Sequence, residues 1–247
     1  MKAQRIESEE NTLGTTLRIV SANLLAGGAD PDAFASLATR LEADVVAVQE
    51  LGPDQADALS ARFPHGFLDP RLDYDGGGIA LARPAEVVTL PLARRRGFRV
   101  TLDPDDWPEL AVPLEVWNVH VYSPLAFQGG GIFRRRPQFR DLATALDRPT
   151  AAPSRRVVVG DFNATPLWPV YRSMAARMED AARTVAHREG RRPERTWGPR
   201  LGGPAFLRID HGFVAGVRPE RFQVVPIEGS DHRAVVLDVA IDDGSFR

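Results

Sequence analysis

Apolar and polar residues alternate along positions 17–23, the period-two pattern of a strand with one buried face. The same pattern, or a short continuous apolar run, recurs at 45–50, 79–82, 87–92, 98–102, 115–122, 157–159, 207–214, 222–227 and 234–241. Each of these predicts a strand. Helical spacing is rarer. Phe34, Leu37, Ala38 and Leu41 recur at intervals of three and four, behind Asp30 as N-cap and Pro31 at the first helical position. That predicts a helix running to about Glu42. Further helices are predicted at 55–62, 133–146 and 170–178, while 68–78 and 183–204 read as loops. Strands outnumber helices and no helix is long, so the pattern predicts one α/β domain with mostly antiparallel strands. Periodicity does not choose between one sheet and two. Residues 1–16 read as a tail, 17–241 as the single domain and 242–247 as a second tail.

The chain is organised around one stretch. Val157, Val158 and Val159 form a buried run that enters Gly160, and Asp161 and Asn163 follow at once. Gly160 reads as the residue that lets the backbone turn at the strand end. Asp161 and Asn163 then stand at the mouth of a strand, where open sheets place chemistry. Other predicted strands also carry polar groups at an end or on a face, Asn23 and Glu50 at ends and Asp210 within 207–214, with the turn Ser230, Asp231 and His232 completing the set. In the strand 115–122, Trp117, Val119 and Val121 share one face. Asn118, His120 and Tyr122 share the other, which puts His120 on a polar side.

These residue types suit metal-assisted phosphoester hydrolysis. Glu50 and Asp231 are hard oxygen ligands for magnesium or manganese. Asn23 and Asn163 are neutral donors that could hold phosphate oxygens. His120 and His232 could move protons or donate to transition-state charge, and Asp210 could orient His232. Taken singly, each has a plainer reading: Glu50 as an exposed strand-end carboxylate, His120 as a surface residue, Asp210 with His232 as a structural pair. His211 lies on the opposite strand face from Asp210 and reads as structural. His65 and His187 fall in predicted loops, and Ser230 reads as a turn former.

Composition narrows the field. The 247 residues include no cysteine, which removes disulfides, thiolate metal sites and cysteine nucleophiles. Formal charge is −2, so no global field favours a polyanion. Lys2 is the one lysine, and positive charge is otherwise arginine. The clusters at 94–96, 134–136 and 191–192 read as solvated faces. Arg135, opening a helix with Gln138 after the His120 loop, is the best candidate to face substrate. Trp197 and Phe206, just before the Asp210 strand, could stack on a base, though core packing is the plainer reading. No apolar segment has the length of a signal h-region or a membrane span, which predicts a cytoplasmic, monomeric protein without a membrane span.

Gly160-Asp161-Phe162-Asn163, Arg208-Ile209-Asp210-His211 and Ser230-Asp231-His232 occur in that order, behind Val48-Gln49-Glu50 and Asn118-Val119-His120. Together they resemble the endonuclease/exonuclease/phosphatase superfamily. The resemblance implies a four-layer sandwich of two packed, mostly antiparallel sheets flanked by helices. It implies Glu50 as principal metal ligand with Asp231 helping, and Mg2+ as the cation, with Mn2+ possible. Asp161 would orient the attacking water, Asn163 would bind phosphate, Asp210 would pair with His232, and Asn23 would sit beside metal and phosphate. His120 matches the histidine of the deoxyribonuclease and sphingomyelinase branches rather than the tyrosine of abasic-site enzymes. Leu25 stands where some members carry an acid, which argues against a second metal there. The implied activity is hydrolysis of phosphodiesters, nucleic acid above all. A phosphatase or phosphodiesterase of lipid head groups or small metabolites is the alternative, and a non-catalytic binding module on the same scaffold is the alternative of another class.

Overall fold

A computed structural model describes residues 16–124, 131–148 and 155–241, with the side chains of 131–134 set aside. The tails at 1–15 and 242–247 lie outside the described residues. Thr16, read as tail, opens the first strand. In chain order the elements are β1 (Thr16–Asn23), α1 (Pro31–Arg40), β2 (Val45–Gln49), α2 (Pro53–Ser60), β3 (His65–Asp69), β4 (Gly77–Leu81), β5 (Val87–Leu90), β6 (Gly97–Leu102) and β7 (Leu114–His120). There follow α3 (Gly131–Leu146), β8 (Arg155–Asp161), α4 (Pro169–Ala175), β9 (Glu179–Asp180), α5 (Ala181–Arg188), β10 (Asp210–Ala215), β11 (Arg218–Pro226) and β12 (Arg233–Ala240).

The strands form two six-stranded sheets, ordered β11-β12-β1-β2-β4-β3 and β5-β6-β7-β8-β10-β9. Each sheet is antiparallel except for one central pair, β1 with β2 and β7 with β8. Ile19, Val45, Ile79, Val116, Val157 and Leu237 belong to the core that joins the two sheets. Phe34, Ala38 and Leu59 of α1 and α2 cover the outer face of the first sheet at Val20, Val46 and Val48. Leu142, Val170 and Met174 of α3 and α4 cover the second at Trp117, Val119 and Val158. This is the expected four-layer sandwich.

The two parallel pairs position the site. Parallel strands end side by side, so Asn23 lies opposite Gln49, the residue before Glu50. His120 likewise lies opposite Asp161. Antiparallel neighbours contribute their starts at the same edge: Asp210 pairs with Asp161, and β12 begins beside the end of β1 just after His232.

The face of β7 that carries Asn118 and His120 is not a solvent face. Leu114 and Val116 on it pack in the inter-sheet core, and Asn118 and His120 are buried. The core becomes polar toward the site end. There Gln49 Nε2 donates to Asn118 Oδ1 at 2.6 Å, and Asn118 Nδ2 donates to the carbonyls of Val48 and Gly78 at 2.8 Å. One side chain of the second sheet thus ties down two strands of the first.

Two elements stand where loops are predicted. β3, which contains His65, is a sheet-edge strand paired only with β4, and its side chains are mostly exposed, so no apolar run marks it. α5, which contains His187, buries Ala181, Ala182, Val185 and Ala186 behind the N-cap Asp180. Its apolar stripe is short, and it runs into an arginine-, glycine- and proline-rich stretch that reads as loop. Gly160 also differs from expectation: β8 runs through it to Asp161. Its φ is +140°, and a Cβ there would sit 1.9 Å from Val119 O. It is a close-approach glycine inside a strand rather than a turn. Gly160→Ala is therefore expected to lower unfolding free energy by about 3 kcal/mol or more in urea titration. A loss under about 1 kcal/mol would show that the β7–β8 spacing tolerates a side chain.

Candidate active site

Asp161 lies at the centre. It is 1% exposed, and the groups around it donate. Asn163 gives its backbone N–H to Oδ1 at 2.7 Å and its Nδ2 to Oδ2 at 2.8 Å. Asn23 Nδ2 reaches the same Oδ2 at 3.1 Å and Glu50 Oε1 at 3.1 Å. Asn23 therefore joins a carboxylate of each sheet through one amide. Asn163 sits at φ +47°, a left-handed conformation that asparagine tolerates, and this folds it back over Asp161. The chain turns here, just beyond β8.

Glu50 is 8% exposed, not an open strand-end carboxylate. Its φ of +55° swings the side chain inward after β2, and Ala26 N–H donates to Oε2 at 2.9 Å. His120 Nε2 lies 3.6 Å from Glu50 Oε1 and 3.5 Å from Asp161 Oδ2. Gln138 of α3 clamps this strand end: its Nε2 donates to His120 O at 2.8 Å and its Oε1 accepts from Tyr122 N–H at 2.9 Å.

Asp210 holds His232 Nδ1 with both oxygens at 3.0 Å. The segment at Thr196 and Trp197 keeps the two together. Thr196 Oγ1 accepts the N–H groups of Ile209 and Asp210 at 3.1 Å, and Thr196 O accepts Arg233 N–H at 2.8 Å. Ser230 does more than form a turn, donating to Asn23 O at 2.8 Å and accepting from His232 N–H at 3.1 Å. His232 Nε2 points toward Asp161 Oδ2 and Asp231 Oδ1, 4.0 Å from each. Trp197 neither stacks in the open nor simply fills core: its Nε1 donates to Asp231 Oδ2 at 2.8 Å. Phe206 is 52% exposed.

Burial and charge act in opposite senses across the cluster. Burial pushes Glu50 up, with Asn23 opposing, and pushes Asp161 up to about 7, with His232 opposing. Burial lowers His120 well below its usual value, and the Arg95 charge adds to that. Burial would also lower His232, but the Asp210 carboxylate beside it wins and lifts it to about 10. A neutral His120 and a cationic His232 therefore flank one buried carboxyl group.

Glu50, His120 and Asp161 each offer a ligand atom within 4.8 Å of the others, as do Asp161, Asp210 and His232. Asp231 belongs to neither trio, but its Oδ1 is buried and without a hydrogen-bond partner among the described residues. A set dominated by carboxylate oxygens with one unsatisfied buried oxygen fits a hard divalent cation.

All the strand-end candidates thus come together. Arg135 stands slightly apart. It is buried, donates to Phe162 O at 2.9 Å, and lies over the Trp168 and Phe139 rings. Burial lowers it to about 10, with the Asp161 charge opposing. His211 is structural: its Nε2 meets Ala164 O at 2.7 Å among Phe162, Tyr171 and Phe213. The residue that sequence reasoning missed is Arg95, assigned there to a solvated cluster. Its Nη1 contacts both His120 ring nitrogens, 2.6 Å from Nδ1. Three arginines in a row give no signal of which one turns inward. If Asp210 supplies the charge that keeps His232 protonated, Asp210→Asn should drop the His232 pKa from about 10 to below 7, read by NMR titration of the imidazole. A value still near 10 would assign the shift to Asp161 or Asp231 instead.

The sequence profile of the Endonuclease/Exonuclease/phosphatase family matches residues 20–232. No curated protein gives a significant sequence match. Among solved structures, the endonuclease/exonuclease/phosphatase from Bacteroides vulgatus aligns with a TM-score of 0.70 at 18% identity, over 92% of this chain and 100% of that one. The 3′ phosphatase NExo from Neisseria, bound to product DNA hairpin, aligns at 0.68 and 18%, over 90% of this chain and 98% of that one. The human Nocturnin catalytic domain, with a bound sulfate anion, aligns at 0.66 and 19%, over 91% and 94%. At such identities the likeness establishes a shared fold.

Proposed function

This chain belongs to the endonuclease/exonuclease/phosphatase family of phosphoesterases, and from that membership we propose that it is a Mg2+-dependent hydrolase of phosphodiester bonds, acting on nucleic acid, with Mn2+ able to replace Mg2+. The observation that carries the reading is the sharing of Asp161 Oδ2 by donors from both sheets, with an orienter-held histidine 4.0 Å away. Glu50 is the proposed principal ligand, with Asp231 and its unsatisfied oxygen helping. The cation would polarise a phosphoryl oxygen and offset the negative charge that grows on the phosphoryl oxygens.

The side chains divide the remaining work. Asp161 orients a water in line with the scissile P–O bond and takes its proton as the oxygen bonds to phosphorus; the opposite P–O bond breaks, and the leaving oxygen takes a proton from solvent. Its raised pKa suits a base at neutral pH. Asn23 and Asn163 exchange part of their hold on Asp161 for phosphate oxygens. His232, held charged by Asp210, donates from Nε2 to the phosphoryl group, a charge-assisted bond. His120, kept neutral, fixes the phosphate on the side of Glu50. Every one of these groups comes from one chain, so the proposed chemistry needs no second copy. A second reading, small phosphorylated metabolites or lipid head groups as substrate, is supported by the net charge of −2.

His232→Ala and Asp161→Ala should each lower kcat on bis(p-nitrophenyl) phosphate by about 100-fold or more while leaving the circular dichroism spectrum intact. Near-wild-type rates from either variant would rule out this assignment. EDTA should remove activity and excess Mg2+ or Mn2+ restore it. Turnover that survives exhaustive chelation would contradict the metal requirement.

A further inference from the structure

The loop between β5 and β6 flanks His120 on the side away from Asp161. It forms a cavity of about 330 Å³ whose lining includes Arg71, Arg94, Arg95 and Arg96 together with Asp73 and Asp75. Four arginines meet Asp73 and Asp75 and also Asp69, which pairs with Arg71 and Arg96, and this leaves one positive charge in excess in a chain whose net charge is −2. This is a local field rather than a general one. A narrow crevice lined by Asp75, Arg95 and Arg96 also reaches Asn118 and His120, so the cavity adjoins the catalytic cluster.

The arginines differ in what occupies them. The Arg95 side chain is 9% exposed, with Nη1 at His120 and Nε 3.3 Å from Asp75 Oδ1, outside hydrogen-bonding alignment. Arg96 pairs with Asp69, which Arg71 also approaches at 3.2 Å. Arg94 is exposed, with no ion pair or hydrogen bond among the described residues. It holds φ at +73°, a conformation that arginine rarely adopts. This strained position lies in the middle of the loop, and Arg94, Arg95 and Arg96 all line the one cavity.

A guanidinium group left unpaired beside others suits a phosphate, which it can grip through two N–H groups. The size is at the low end for ligand pockets and fits a fragment of a substrate rather than a whole cofactor. We propose that this cavity binds a second phosphate of the substrate, flanking the ester that is cut, with Arg95 bridging the two. The inference rests on the phosphoesterase reading above and adds to it: the preferred substrate carries at least two phosphates close together.

Calorimetric titration in Mg2+ with thymidine 3′,5′-bisphosphate and with thymidine 5′-monophosphate tests this, with a short oligonucleotide as a third ligand. The bisphosphate should bind at least about tenfold more tightly than the monophosphate. The double variant Arg94→Asn with Arg96→Gln should shrink that preference to about twofold or less at an unchanged melting temperature, asparagine being tolerant of positive φ. Arg40→Gln, at the far end of α1, should keep it. A gain shared by the oligonucleotide makes the second phosphate a neighbour in a nucleic-acid chain; a gain confined to the bisphosphate makes it part of a small molecule. Equal binding of both mononucleotides, or a preference that survives the double variant, overturns the inference. Hydrolysis of bis(p-nitrophenyl) phosphate, measured in parallel, separates the two claims. Hydrolysis with equal binding removes the second-phosphate cavity alone. An intact preference with no hydrolysis removes the phosphoesterase reading, and with it the assignment of this cavity to a substrate.

Discussion

A carboxylate almost wholly removed from water must be compensated by its neighbours, and Asp161 is that carboxylate here. Unscreened, it would protonate or unfold its surroundings. The amides of Asn23 and Asn163 and the imidazoles of His120 and His232 converge on it instead. The compensation is incomplete, as the upward push to about 7 records. Glu50, Asp210 and Asp231 add further negative charge in the same small volume. A folded chain that gathers four acids and answers them with one charged histidine and an arginine is set up to gain from a divalent cation and an anion that binds beside it.

The fold meets this demand by topology rather than by any single motif. Each sheet carries one parallel pair at its middle, and each pair delivers two strand ends to the same edge. The antiparallel strands β10 and β12 then start at that edge and bring Asp210 and His232 to it. Asn118 and Gln49 lock the sheets together directly beneath, so the acids of one sheet keep their distance from those of the other. Rigidity at this point matters, since a small displacement would separate Asn23 from one of its two carboxylates.

The sequence revealed these parts unevenly, for physical reasons. Central strands such as β1, β8 and β12 are buried on both faces or one, so alternation and valine runs announce them. The edge strand β3 has little apolar contrast, and the short α5 merges into an arginine-, glycine- and proline-rich stretch, so neither stood out. The identity and order of Asn23, Glu50, His120, Asp161, Asn163, Asp210, Asp231 and His232 were legible because they sit at strand ends, where polar residues interrupt an apolar pattern. Their burial was not: a face that alternates Asn118 with His120 looks solvated until a second sheet covers it. Arg95 shows the other limit. Its side chain is turned inward while those of Arg94 and Arg96 stay exposed, and three arginines in a row do not show which one that will be.

The account stands on one cation sharing the space between Glu50 and Asp161. Anomalous diffraction from a crystal soaked in Mn2+ tests it most directly. A single strong peak about 2–2.3 Å from a Glu50 carboxylate oxygen, at the common edge of the two sheets, is the predicted result. A peak elsewhere on the molecule with none at Glu50, or no peak at saturating Mn2+, would contradict it.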